Sequence, residues 1–115
     1  FACINGLVNP VPSRDVAAKF FEDSAQAWAR CANSGYSFKL PDWPVPAQWT
    51  VGDVASTDGM LSTSMVMEDG DGWGCGRALT VGNNLVIDVS TCSYNDTGAP
   101  AVTIAQNIAA KLPEG

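Results

Sequence analysis

The sequence predicts an α+β domain: an antiparallel β-sheet with two helices packed on one face, in the order β-α-β-β-β-β-α, tied by two disulfides. Three observations carry that expectation. Two stretches, one in each half of the chain, repeat apolar residues at three- and four-residue steps, the period of an amphipathic helix. Between them lie alternating stretches broken by Asp58-Gly59 and Asn83-Asn84, pairs suited to tight hairpins. Finally, the 115 residues hold four cysteines and no histidine. An even cysteine count without a Cys-x-x-Cys pair points to disulfides rather than to a metal.

Residues 2–11 carry Ile4, Leu7, Val8 and Val11 in an extended stretch closed by Pro10 and Pro12, and read as a strand. Ser13 offers an N-cap oxygen, and Asp15 sits where a helix dipole favours an acid. From Arg14 to Cys31 the apolar set Val16, Ala17, Phe20, Phe21, Ala27, Trp28 and Cys31 marks one face of a helix. Asn33-Ser34-Gly35 stops it, with Gly35 suited to a left-handed cap. Residues 36–40 alternate as a short strand. Pro41-Asp42-Trp43-Pro44-Val45-Pro46 cannot join a central ladder and is expected to be an extended loop presenting Trp43. Strands near 47–55 and 60–68 follow, joined through Asp58-Gly59, and Glu68-Asp69-Gly70-Asp71-Gly72 makes the next turn.

The last hairpin predicts its own register. A two-residue turn at Asn83-Asn84 sets Leu79 against Asp88, Val81 against Val86 and Cys75 against Cys92, so a Cys75–Cys92 bridge follows directly. The second bridge rests on lengths. A strand from Cys3 and an antiparallel helix back to Cys31 each cover about 30 Å, which brings both cysteines to one end. We therefore expect Cys3–Cys31, although four cysteines allow three pairings and the sequence alone does not exclude the other two. The closing helix takes Asp96 or Thr97 as its cap, Pro100 in its first turn, and Val102, Ala105, Ile108, Ala109 and Leu112 as its apolar face. Pro113 ends it.

Composition narrows the function classes. Hydrophobic residues make up 46% of the chain, enough for a single core and hence a single domain over residues 1–115. Disulfides persist in oxidising compartments, which places the domain outside the cytoplasm. No run of about 18 apolar residues is present, so any membrane anchor would lie outside this sequence. The chain opens on Phe1, as a processed or excised piece would. Net charge is −6, and between Lys39 and Gly98 eight acids face two bases, Lys39 and Arg77. That excess argues against nucleic acid as a partner.

Catalytic constellations are hard to build from these residues. Without histidine there is no Ser-His-Asp or Cys-His arrangement. Asp69-Gly70-Asp71-Gly72 faintly resembles a calcium loop but lacks the further ligands and the closing glutamate, and reads as a turn. No cofactor or metal is expected. Four tryptophans stand out. Trp28, on the helix's apolar face, is assigned to packing; Trp49 and Trp73 sit on strands; Trp43 is the one expected to be exposed. Arg77 projects from the same hairpin face as Asp88 and suits an internal salt bridge. Asn95-Asp96-Thr97 is a formal glycosylation sequon and equally a helix cap.

Ala27-Trp28-Ala29-Arg30-Cys31, Gly72-Trp73-Gly74-Cys75-Gly76-Arg77-Ala78, Asn84-Leu85-Val86-Ile87-Asp88-Val89 with Cys92 and Tyr94-Asn95, and Ile104-Ala105-Gln106-Asn107-Ile108-Ala109-Ala110-Lys111 together resemble the PknH-like extracellular domain. That domain is carried by actinobacterial receptor serine/threonine kinases and related secreted lipoproteins. The resemblance runs from about Val11 to Leu112. It implies an envelope-facing, disulfide-bonded, non-catalytic sensor or ligand-binding domain with a cleft, attached to a kinase or a lipid anchor outside this chain. Family members carry a further segment before the first strand, which this chain is expected to lack.

The expected function is therefore recognition of a small molecule or cell-envelope component. The expected binding surface carries Trp43, Trp49, Asp53, Arg77 and Asp88. The alternative is a protein-interaction module of the cystatin-like inhibitor type, presenting Pro44-Val45-Pro46. An open sheet edge at the N-terminus also suits pairing into a homodimer.

Overall fold

In the computed structural model, which describes residues 2–38 and 47–112, each helix forms where the apolar period predicts one. The chain runs through β1 (Ala2–Pro10), α1 (Arg14–Cys31), β2 (Gly35–Phe38), β3 (Ala47–Val51), β4 (Ala55–Thr57), β5 (Met60–Met67), β6 (Trp73–Gly82), β7 (Leu85–Tyr94) and α2 (Ala99–Ala110). The α+β class and the antiparallel sheet are as expected. Among the described residues the sheet has seven strands rather than five, in the order β1-β7-β6-β5-β3-β2, with β4 paired to β5 beside β3.

Local signals set most boundaries. The Ser13 Oγ accepts the Val16 N–H at 3.2 Å and starts α1. At its other end Asn33, not Gly35, takes the left-handed conformation (φ 56°). Asparagine tolerates that region, and this leaves Gly35 to open β2 opposite Thr50. Asp58 and Gly59 both have positive φ, as a two-residue hairpin between Thr57 and Met60 requires. The β6–β7 register is the one the Asn83-Asn84 turn dictates, with Leu79 against Asp88, Val81 against Val86 and Cys75 against Cys92.

The N-terminus of α2 departs from expectation. Its N-cap is Gly98 (φ 90°), with no side-chain cap on the helix and Pro100 in the first turn. The Asp96 carboxylate instead turns inward, accepting the Gly98 N–H at 2.7 Å and the Thr91 hydroxyl at 2.8 Å. Burial of this acid is supported by both of those bonds.

The largest correction concerns the helices, which pack on opposite faces. Neighbouring residues of a strand point to opposite sides of a sheet. Leu79 and Val86 pack with Leu61 beneath α1, against Ala17, Phe21 and Trp28. Ala78, Ile87 and Val89 pack with Ala101 and Ala105 of α2. The central hairpin thus has a core on each side.

The second disulfide is likewise not found. Cys75–Cys92 is the one bridge among the described residues, with Cα atoms 4.0 Å apart, and Cys31 carries a free, exposed thiol. The length argument took α1 to lie along β1. In fact α1 starts at the β6–β7 turn, where Val11 donates to Asn84 and Arg14 to Asn83. It ends beside β3, where Asn33 donates to Gly52 and Ser34 accepts from Val51. The Cα of Cys3 is in register with Cys92 near the opposite edge of the sheet. From β1 to β5 is three strand spacings, about 14 Å, well beyond disulfide reach.

Candidate functional site

The C-terminal half of α1 does not close fully onto the sheet. Between it and the strands lies a groove of ≈ 220 Å³. Ala27, Trp28 and Cys31 form its helical wall. Val51 of β3, Val54 of the following connection, Thr63 and Met65 of β5, and Arg77 of β6 form the rest. Alternation explains the membership: Thr63 and Met65 are in register with Arg77 and Cys75, so all four residues share the α1 face.

Arg77 organises the polar part of this groove. Its Nε and Nη2 donate to the two Asp88 carboxylate oxygens at 3.1 and 2.7 Å, a bidentate pair. The guanidinium carbon lies 4.6 Å from the Trp28 ring centroid, a cation–π arrangement. The side chains of Arg77 and Asp88 are 42% and 23% exposed, so the pair orients the guanidinium more than it stabilises the fold. What results is an apolar slot with a fixed, charge-paired planar group in its wall. Its lining is mostly apolar with a few polar groups, the composition common to small-molecule pockets.

The residues predicted for one surface are divided between two. Arg77 and Asp88 come together as an internal pair, of which Arg77 lines the groove. Asp53 is exposed on the β3–β4 connection, its carbonyl accepting the Thr63 hydroxyl at 3.1 Å, and it borders a separate cavity on the α2 side of the sheet. Trp49 lies in β3, half-buried, in register with Tyr36 and Met67, and is not among the described residues of the groove. Trp43 falls outside the described residues, as does the Pro44-Val45-Pro46 segment of the alternative reading. Trp73 packs edge-on against Tyr94 at 5.2 Å.

Trp28 packs on the core as assigned and in addition lines the groove, which sequence reasoning did not foresee; Cys31, assigned to a bridge, is free and lines it too. The missed signal lay in the hairpin, where Ala78-Leu79 and Val86-Ile87 are apolar in both alternations. A strand apolar on both sides is covered on both sides. Of α1's expected apolar face, Val16 and Phe20 are 44% and 46% exposed, and the helix packs instead through Ala17, Phe21, Ala25 and Trp28. Among the described residues no His/Cys/Asp/Glu group could hold a metal ion, and no helix is long and apolar enough to cross a membrane.

The family model for the PknH-like extracellular domain matches residues 7–111, almost the entire described chain. The chain belongs to this family. Among relatives, the serine/threonine-protein kinase PknH of Mycobacterium bovis is 33% identical over 109 residues, 95% of this chain and 17% of the kinase. PknH of two Mycobacterium tuberculosis strains matches at the same identity. The crystal structure of the extracellular domain of PknH from Mycobacterium tuberculosis superposes with a TM-score of 0.87 at 32% identity, covering 96% of this chain and 55% of that one. This PknH-like domain thus spans about a sixth of the length of the curated kinases and just over half of the solved domain. It corresponds to their extracellular portion, not to the kinase domain.

Proposed function

We propose that this PknH-like domain is an extracytoplasmic sensor that binds a small molecule or cell-envelope component in the groove beneath α1 and signals to an attached or associated partner. The observation that carries the reading is the slot between α1 and the sheet, in which Arg77 is fixed by Asp88 and stacked on Trp28. Its wall joins α1 to β3, β5 and β6, so an occupant bears on the helix and the sheet at once. A receptor kinase or a lipid anchor outside the chain is the partner the family suggests. No part of the reading requires catalysis by the domain itself.

Filling the slot tests it. Ala27 is exposed on the groove rim, so Ala27→Trp adds bulk there without opening the core. Native mass spectrometry of the oxidised protein after incubation with an envelope extract is expected to show a discrete added mass that Ala27→Trp abolishes. An adduct that persists in a folded Ala27→Trp protein would move the site elsewhere. No adduct with the unaltered chain would favour a protein partner, the cystatin-like alternative.

A further inference from the structure

We propose that the trough on the opposite face, between α2 and the β4–β5 hairpin, is a second binding site, and that its ligand class is a neutral polyhydroxylated chain, a glycan. The inference is independent of the groove beneath α1.

The trough follows from where α2 sits. That helix packs its small residues Ala101 and Ala105 onto Ala78, Ile87 and Val89, over β6 and β7. Gly76 allows the closest approach, since a Cβ there would lie 2.5 Å from the Gly98 Cα. The helix is thus held to one side, and the same-face residues of β5 lie beside it rather than beneath it. Those residues are Met60, Ser62 and Ser64, in register with Thr80, Ala78 and Gly76. With two small serines for a floor and the β4 hairpin for a far wall, the surface stays concave. Two cavities of ≈ 490 and ≈ 520 Å³ result, and they meet at Ser62 and Val102. Each falls within the range of small-molecule sites.

The wall chemistry selects the ligand. One end presents Thr57, Asp58, Thr80 and Gln106. The other presents Asp53, Ser64, Thr97 and Thr103. Hydroxyl and amide groups both donate and accept, as a polyol requires of its partners, and an aspartate at each end accepts strong charge-assisted bonds from hydroxyl donors. Met60, Val102 and Ala109 supply apolar floor for the C–H faces of sugar rings. No Lys or Arg is among the described lining residues, which disfavours phosphate, carboxylate and sulfate ligands. The trough's two joined cavities suit an extended chain better than a single compact molecule.

The test uses the full chain and three probes, maltohexaose, cellohexaose and mannohexaose, followed by amide NMR shifts. At least one is expected to bind in the millimolar range or tighter, shifting Ser62, Thr103 and Gln106, with affinity unchanged by added sodium chloride. Ser62→Phe, which fills the junction of the two cavities, is expected to weaken binding at least tenfold, as is Gln106→Ala on the exposed side of α2. Ala27→Trp, on the other face, should leave it unchanged. Absence of shifts with all three probes, shifts confined to the α1 face, or binding indifferent to both trough variants would each overturn the proposal. So would salt-sensitive binding of spermine at the same residues, which would make the trough a cation site.

Discussion

Single residues here do more than their types predict. Trp28 is a helix tryptophan with the spacing of a core residue, yet its ring is half-buried and stacked by Arg77. Arg77 and Asp88 form the salt bridge that their shared hairpin face foretells, and Arg77 forms part of the wall of a groove. Cys31 shows how a correct local assignment leads to a wrong partner. Its place at the end of α1 was legible; its distance from β1 was not, because a helix's crossing angle is settled by side-chain packing remote in sequence. Cys31 of the oxidised native protein should therefore react with maleimide, identified by peptide mapping, before any reductant is added. An unreactive Cys31 that labels only after reduction would show that it is bridged after all.

At the scale of elements, turns and caps were the readable part. Ser13, Asp58-Gly59 and Asn83-Asn84 each act within a few residues, so chain order is enough to find them. The short β4 and the division of the 47–55 stretch into two strands were not readable. Both depend on Gly52 and Asp53 leaving the ladder at the edge of β5, where Gly52 donates to Ser64. The α2 cap is another tertiary decision, since Asp96 serves Thr91 on the neighbouring strand as well as Gly98. Gly76 is the contact on which the seating of α2 depends. Gly76→Ala would drive a methyl into backbone that cannot swing aside, because Gly98 itself needs its positive φ. A loss of about 1–3 kcal/mol is expected in urea unfolding, as for other overpacked sites. A loss below about 0.5 kcal/mol would mean that the helix shifts freely and that the trough beside it has no fixed width.

For the whole molecule, the β6–β7 hairpin is the axis: it carries a core on each face, and a disulfide spans it at Cys75–Cys92. The two cysteines are separated by 17 residues, so in a chain-entropy account the bridge stabilises by about 3 kcal/mol. The double variant Cys75→Ala, Cys92→Ala is expected to remain folded, since the hairpin ladder and both cores persist. It should unfold at lower urea concentration, by about 2–4 kcal/mol. Equal stability would show that the unfolded chain already holds this hairpin closed. The membership in a family of extracellular domains agrees with the redox argument that cysteine usage supported at the outset.

By itself the sequence determined the class, both helices, the central hairpin with its register and its disulfide, and the extracellular setting. Each of these rests on periodicity, turn chemistry or composition, which act over a few residues or over none. The tertiary structure alone decided that the helices take opposite faces, that Cys31 stays free, and that Arg77 and Asp53 belong to different cavities. Those outcomes turn on how α1 and α2 cross the sheet. That crossing is set by Ala17, Phe21 and Trp28 meeting Leu61 and Leu79, and by Ala101 and Ala105 meeting Ala78 and Val89. The partners in these contacts lie far apart in the chain, and no local period encodes which face a helix will choose.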